Sequence, residues 1–97
     1  MHAEIEEIRT ALRDVIDFEI GLDVVSMGLI RAIEIGESGV KITMILTSPM
    51  CPMAPFMLQQ VHERATEVTD KQVEVVLGQE AWDPDMMEEE AREALGI

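Results

Sequence analysis

Three prolines in a stretch of nine residues constrain this chain more than any other feature. A strand-like apolar run, Val40 to Leu46, is followed by Thr-Ser-Pro-Met-Cys-Pro-Met-Ala-Pro at positions 47 to 55, and then by a helix-like segment. Pro49, Pro52 and Pro55 each lack an N–H donor and bias the preceding residue toward extended backbone, so neither element continues through them. The turn is fixed in shape. Proline is well tolerated in a first helical turn, so Pro52 or Pro55 opens the helix, with Pro52 favoured and Cys51 at or just before its amino end. Unpaired N–H groups and the positive end of the helix dipole then stabilise a thiolate at Cys51, making it a better nucleophile or metal ligand. The alternative is a buried cysteine acting as a small hydrophobe.

At 97 residues the chain is expected to form one domain spanning residues 1–97, with a single core. That core draws on Ile, Val, Leu and eight Met, because the aromatics are only two Phe and one Trp. The formal charge of −13, with seven scattered Lys and Arg, argues against nucleic acid and against anionic membrane surfaces. One cysteine cannot form an internal disulfide, the amino terminus has no apolar signal-like run, and no segment approaches membrane-spanning length. A reducing cytoplasm is the expected compartment.

Ile5, Ile8, Leu12 and Val15 recur at helical spacing and predict an amphipathic helix from Ala3 to Ile16, ending near Asp17 to Gly21 with Gly21 as a positive-φ stop. Asp17 and Glu19 follow; as loop acids they are ligands, a general base or simply solvated, and the residues alone favour the last. Leu22 to Gly28 is irregular, and Gly28 marks a close backbone approach or a bulge. Leu29 to Ile35 and Val40 to Leu46 read as a hairpin turning at Gly36 to Gly39. The helix after the prolines carries an inner stripe of Met57, Val61, Ala65 and Val68, leaving His62 on a solvated side. Gln72 to Leu77 alternates as a third strand, placed parallel to Val40–Leu46 by a right-handed crossover, with its neighbours in the sheet left open. In the tail, Asp83 is an N-cap, Pro84 a first helical residue and Gly96 a stop, with Met87, Ala91 and Leu95 as a narrow apolar stripe. Trp82 is an anchor for that tail or a partner contact.

The chain therefore reads as a two-layer α/β protein of α+β type, α-β-β-α-β with a short C-terminal helix. An intrachain Cys-His catalytic pair is disfavoured, since ~1.5 Å of rise per residue puts His62 roughly 15 Å along the helix from Cys51. A thiol enzyme is left as a remote reading, weakened by the missing base.

Four fragments, in order, carry a resemblance: Asp17-Phe18-Glu19, Ser26-Met27-Gly28-Leu29, Thr47 to Pro52, and Trp82 to Met87 leading to Ala91 and Leu95-Gly96. Together they resemble the small iron-sulfur cluster assembly domain of SufT-like and PaaD-like proteins over nearly the whole chain. Phe18 stands where that family usually has proline, and Met50 where glycine is frequent. The resemblance implies an α/β two-layer domain with functional weight on Asp17, Glu19, Thr47 and Cys51. It implies a non-enzymatic assembly, carrier or targeting factor with Cys51 as thiolate ligand, Asp17 and Glu19 as auxiliary ligands or partner contacts, and Thr47, Pro52 and Gly28 shaping the site. The cargo would be a transient iron-sulfur cluster or iron, and the partners iron-sulfur client or assembly proteins.

Clusters are usually held by about four thiolates, so one Cys51 must be supplemented by a second copy in a homo-oligomer, by acids or small thiols, or by capture only during transfer. Two other readings stand beside this one. The chain could be a contact-only accessory subunit of a multicomponent oxygenase, as PaaD-like relatives are thought to be. It could also bind Cu(I) through Met50, Cys51, Met53 and Met57, although Met57 lies on the inner stripe.

Overall fold

A computed structural model of the chain describes residues 2–17, 20–47 and 54–96. Glu19, Cys51 and Pro52 lie outside the described residues, as do Phe18, Met50 and Met53. Three helices and two sheets make up the rest, in the mixed α+β arrangement expected.

Helix α1, His2–Leu12, buries Ile8 and Leu12 completely. It stops four residues earlier than its apolar spacing predicts. The amides of Arg13, Asp14 and Val15 each bond back three residues, to Thr10, Ala11 and Leu12, which tightens and ends the helix. The β-branched Val15 and Ile16 then go extended. The Val15 carbonyl accepts from the Val24 amide at 2.9 Å, and β1 (Ile16–Asp17) pairs antiparallel with β2 (Leu22–Asp23). Gly21 is thus the tip of a small hairpin rather than a helix stop; its φ of +84° and its 2.7 Å bond to the Asp17 carbonyl close that turn.

Strands β3 (Ile30–Ile35) and β4 (Gly39–Met44) form the expected hairpin, with the Gly36 amide bonded to the Gly39 carbonyl. A bulge at Arg31 interrupts their register, and the Arg31 side chain reaches Glu80 at 3.1 Å and the Gly28 carbonyl at 3.3 Å. On β4, Val40, Ile42 and Met44 face the core while Lys41 and Thr43 face outward, following the strand's period of two.

Helix α2 spans Ala54–Thr66, with Pro55 in its first turn, and buries Met57, Val61 and Ala65. Val68 does not extend that stripe. The helix ends at Thr66, whose hydroxyl donates to the Glu63 carbonyl, and Val68 is 39% exposed. Strand β5, Gln72–Leu77, follows the predicted boundaries and lies parallel to β4, giving the order β3-β4-β5 that the sequence left open. Val73 and Val75 pack against the core, but Leu77, although on the same face, is 52% exposed.

The tail is two pieces rather than one helix. A 3-10 turn, Pro84–Met86, is capped by Asp83, whose carboxylate accepts from the Asp85 amide at 2.8 Å. Met87 and Glu88 are then extended, so that Met87 enters the core, before helix α3 (Glu89–Leu95) buries Ala91 and stops at Gly96 in the left-handed region. Leu95 is 42% exposed and forms no part of the inner stripe.

Candidate functional site

A chain of backbone hydrogen bonds joins the segments that lead into the two described site candidates, Asp17 and Thr47. The Val24 amide donates to Val15, the Leu29 amide to Val24 at 3.0 Å, and the Ile45 amide to Leu29 at 2.8 Å. Val15 lies two residues before Asp17 and Ile45 two before Thr47. The central turn, Val24 to Gly28, thus holds both segments to one seam.

Asp17 is 5% exposed, the one buried acidic residue among the described residues, in a core otherwise made of apolar side chains. Its carbonyl accepts from the amides of Ile20 and Gly21, which folds the chain back toward β2. Burial of a carboxylate needs a compensating interaction, so this position departs from the solvated-loop reading that local sequence favoured.

Thr47 follows β4 and is half-buried. It shares with Leu46, Leu77, Gly78 and Trp82 a groove of about 400 Å3. Because β4 and β5 are parallel, their carboxyl ends open on this groove together, and Cys51 follows Thr47 by four residues in the sequence. Ligand sites in α/β sheets commonly lie beyond the carboxyl ends of parallel strands.

Gly28 and Trp82 hold the tail against the central turn. Gly28 has φ +76°, and a Cβ there would lie 2.1 Å from the Met86 carbonyl oxygen. The Trp82 indole N–H donates to the Met27 carbonyl at 2.7 Å, and the Glu88 amide to the Ser26 carbonyl at 2.9 Å. Trp82 is therefore an anchor for the tail, and it also lines the groove beside Thr47.

Sequence reasoning missed a polar clamp beneath this tail. Asp23 accepts from the Ser26 amide at 2.9 Å and from its hydroxyl at 2.6 Å, an Asx-type turn signalled by Asp-Val-Val-Ser. Arg13 forms a forked pair with Glu88, both bonds 2.9 Å, and also donates to the Ser26 hydroxyl. Those hydrogen bonds push the Arg13 guanidinium further up and hold the Glu88 carboxyl below the usual glutamate range. The pair's stabilisation is complete above the ordinary glutamate pKa and fades as the pH falls through the lowered value. Both partners are largely exposed, so Glu88→Gln should cost about 0.5 kcal/mol at neutral pH. The difference from the parent should shrink between roughly pH 5 and pH 3, a trend that urea titrations at several pH values would read.

Among the described residues, no three His, Cys, Asp or Glu side chains converge to hold a metal ion. His62 is exposed on α2. No described helix is long and apolar enough to cross a membrane.

These features define a small α+β protein with a parallel strand pair whose carboxyl ends open on a groove at Thr47, and with a buried acid, Asp17, on a segment tied to β4 through the turn Val24 to Gly28. The model of the iron-sulfur cluster assembly protein family matches residues 5–77, and the chain belongs to that family. It is 40% identical to the Fe-S protein maturation auxiliary factor YitW of Bacillus subtilis, over 95% of this chain and 93% of that protein. It is 38% identical to the Fe-S protein maturation auxiliary factor SufT of Staphylococcus aureus, over 86% of this chain and 98% of that one. Among solved structures, a domain of unknown function, DUF59, from Bacillus anthracis superposes with a TM-score of 0.89 at 33% identity, covering 99% and 94% of the two chains. The resemblance read from the four sequence fragments is thereby borne out.

Proposed function

We propose that this chain is an auxiliary factor in the maturation of iron-sulfur proteins, handling a cluster or iron as cargo through Cys51 rather than catalysing a reaction. The observation that carries the reading is that the only cysteine follows in sequence, four residues on, from Thr47 at the carboxyl end of a parallel strand pair, in a chain whose relatives YitW and SufT bear the name of Fe-S maturation factors.

The chemistry follows from the donor set. One thiolate is a quarter of what a conventional cluster of about four thiolates requires, so the chain holds its cargo only with ligands from elsewhere, and release is built in. Asp17 and Glu19 supply hard oxygen donors or contact a partner, Thr47 orients the turn through its hydroxyl, and Pro52 and Gly28 keep the surrounding backbone in place. The partners are the client or assembly proteins that provide or accept the remaining ligands. A second copy of the chain is one such source. The oxygenase-accessory and Cu(I) readings gain no support from the fold or from these relatives.

The test is anaerobic reconstitution with iron and sulfide, followed by visible absorption and transfer to an apo iron-sulfur client, for the parent and Cys51→Ser. Bound iron and client activation should be lost in the variant. Client activation by Cys51→Ser equal to the parent's would defeat the central claim.

A further inference from the structure

The three-stranded sheet has two edges, and they are built differently. On β3 the bulge at Arg31 breaks the register, and the arginine side chain crosses to Glu80, both devices that discourage another strand from pairing. On β5 neither device is present. Its six residues keep an unbroken register with β4, contain no proline, and pair with no described residue on the side away from β4. Leu77 stands half out of the core at the end of this edge, where the groove beside Thr47 begins.

The outward face of the sheet states what a fourth strand should carry. Glu34 of β3 lies opposite Lys41 of β4, and Lys41 opposite Glu74 of β5, all three exposed. Charge alternates across the row and ends on an acid. Opposite charges across neighbouring strands stabilise a sheet and like charges weaken it, so the next position in the row suits a cation. The adjoining row, Ala32, Thr43 and Val76, suits a β-branched residue, while the opposite face, through Val75 and Leu77, suits apolar ones.

We propose that β5 is a docking edge for an extended segment of a partner protein, which adds as a fourth strand and sets a Lys or Arg opposite Glu74. Identifying that partner as the client rests on the maturation reading above; the strand addition does not. A strand laid on β5 has one end at the groove lined by Leu77 and Thr47, from which the sequence runs on to Cys51, so docking there would bring the client's own ligands to that groove.

A second copy of β5 fits the edge less well. Gln72–Leu77 contains no Lys or Arg, so an antiparallel copy brings no cation to Glu74. Lys71 cannot serve, because it lies on the opposite side of the strand from Glu74 and its amine is held by Glu4 at 2.8 Å. Pairing two copies also brings together two chains of charge −13.

The test uses two synthetic peptides, Ser-Leu-Thr-Val-Lys-Val-Thr-Leu-Ser and the same sequence with Glu in place of Lys, against the full chain and against Cys51→Ser. The pattern is symmetric, so either strand direction is accommodated. Amide hydrogen exchange at residues 72–77 should slow on adding the Lys peptide, and titration should show about a fivefold preference for it over the Glu peptide. Glu74→Gln should remove the preference and Glu74→Lys invert it, with circular dichroism confirming that each variant folds. Absence of protection at β5, or a preference unmoved by both substitutions, would overturn the proposal. So would protection that rises with the protein's own concentration without peptide, which would assign the edge to a second copy. Peptide binding retained in Cys51→Ser together with full client activation by that variant would sink the maturation reading and leave the docking edge standing. Loss of client activation without any peptide binding would do the reverse.

Discussion

Gly28→Ala should lower the stability of the chain by about 3 kcal/mol, the sum of a positive-φ penalty and a backbone collision. At φ +76° an L-residue pays roughly 1 to 2 kcal/mol for its Cβ alone. The added carbon would also lie 2.1 Å from the Met86 carbonyl oxygen and 2.5 Å from its carbon, and backbone atoms cannot rotate out of the way as a flexible side chain can. The tail must therefore move. Gly21→Ala separates the two effects, because Gly21 also has positive φ, +84°, but a methyl added there would meet nothing within 4 Å. It should cost only the conformational part, about 1 kcal/mol. Urea unfolding of both variants checks this, and equal losses in the two would show that Met86 yields without cost.

The consequence of Gly28→Ala reaches beyond stability, because the turn it belongs to holds the seam between Asp17 and Thr47. If Met86 is pushed away, the Glu88 amide and the Trp82 indole lose their carbonyl partners on Ser26 and Met27. The family model ends at residue 77, so this clamp lies between the matched region and a tail that follows it. A tail attached through a glycine contact, an indole hydrogen bond and an arginine fork is a fitted part of the fold.

How much of this could be read in advance depended on the distance in sequence over which each feature is decided. Helix α2 and strand β5 are legible because their periods are local; Met57, Val61 and Ala65 repeat at helical spacing, and Gln72 to Leu77 alternates over its whole length. The end of α1 was not, since Val15 continues the helical spacing and is buried, but its carbonyl is claimed by Val24 across the small hairpin. Asp17 looked solvated for a related reason: two acids flanking a phenylalanine carry no local sign that pairing with Leu22 will bury one of them. The Arg13–Glu88 fork spans 75 residues, and no local pattern announces it. For Asp17, resemblance to a family supplied the weight that periodicity could not.

Trp82→Ala is expected to cost about 2 to 3 kcal/mol and to loosen the tail, through lost packing and an unpaired carbonyl. The indole packs against the core while its N–H serves the Met27 carbonyl at 2.7 Å, so truncation removes both contributions. Trp82→Phe keeps most of the apolar contact and removes only the donor, for an expected loss of about 1 kcal/mol. Amide exchange at Ala91 and Arg92, which belong to α3, should quicken in the alanine variant much more than in the phenylalanine one. The pair of variants also decides between the two roles open to this residue, because Trp82 lines the groove that begins at Thr47. As an anchor alone, Trp82 would leave client activation tracking tail stability, nearly intact in Trp82→Phe. If it also touches the partner through its N–H edge, activation would fall in Trp82→Phe although the tail stays seated, and the groove between Thr47 and Trp82 would then be part of the surface that a client meets.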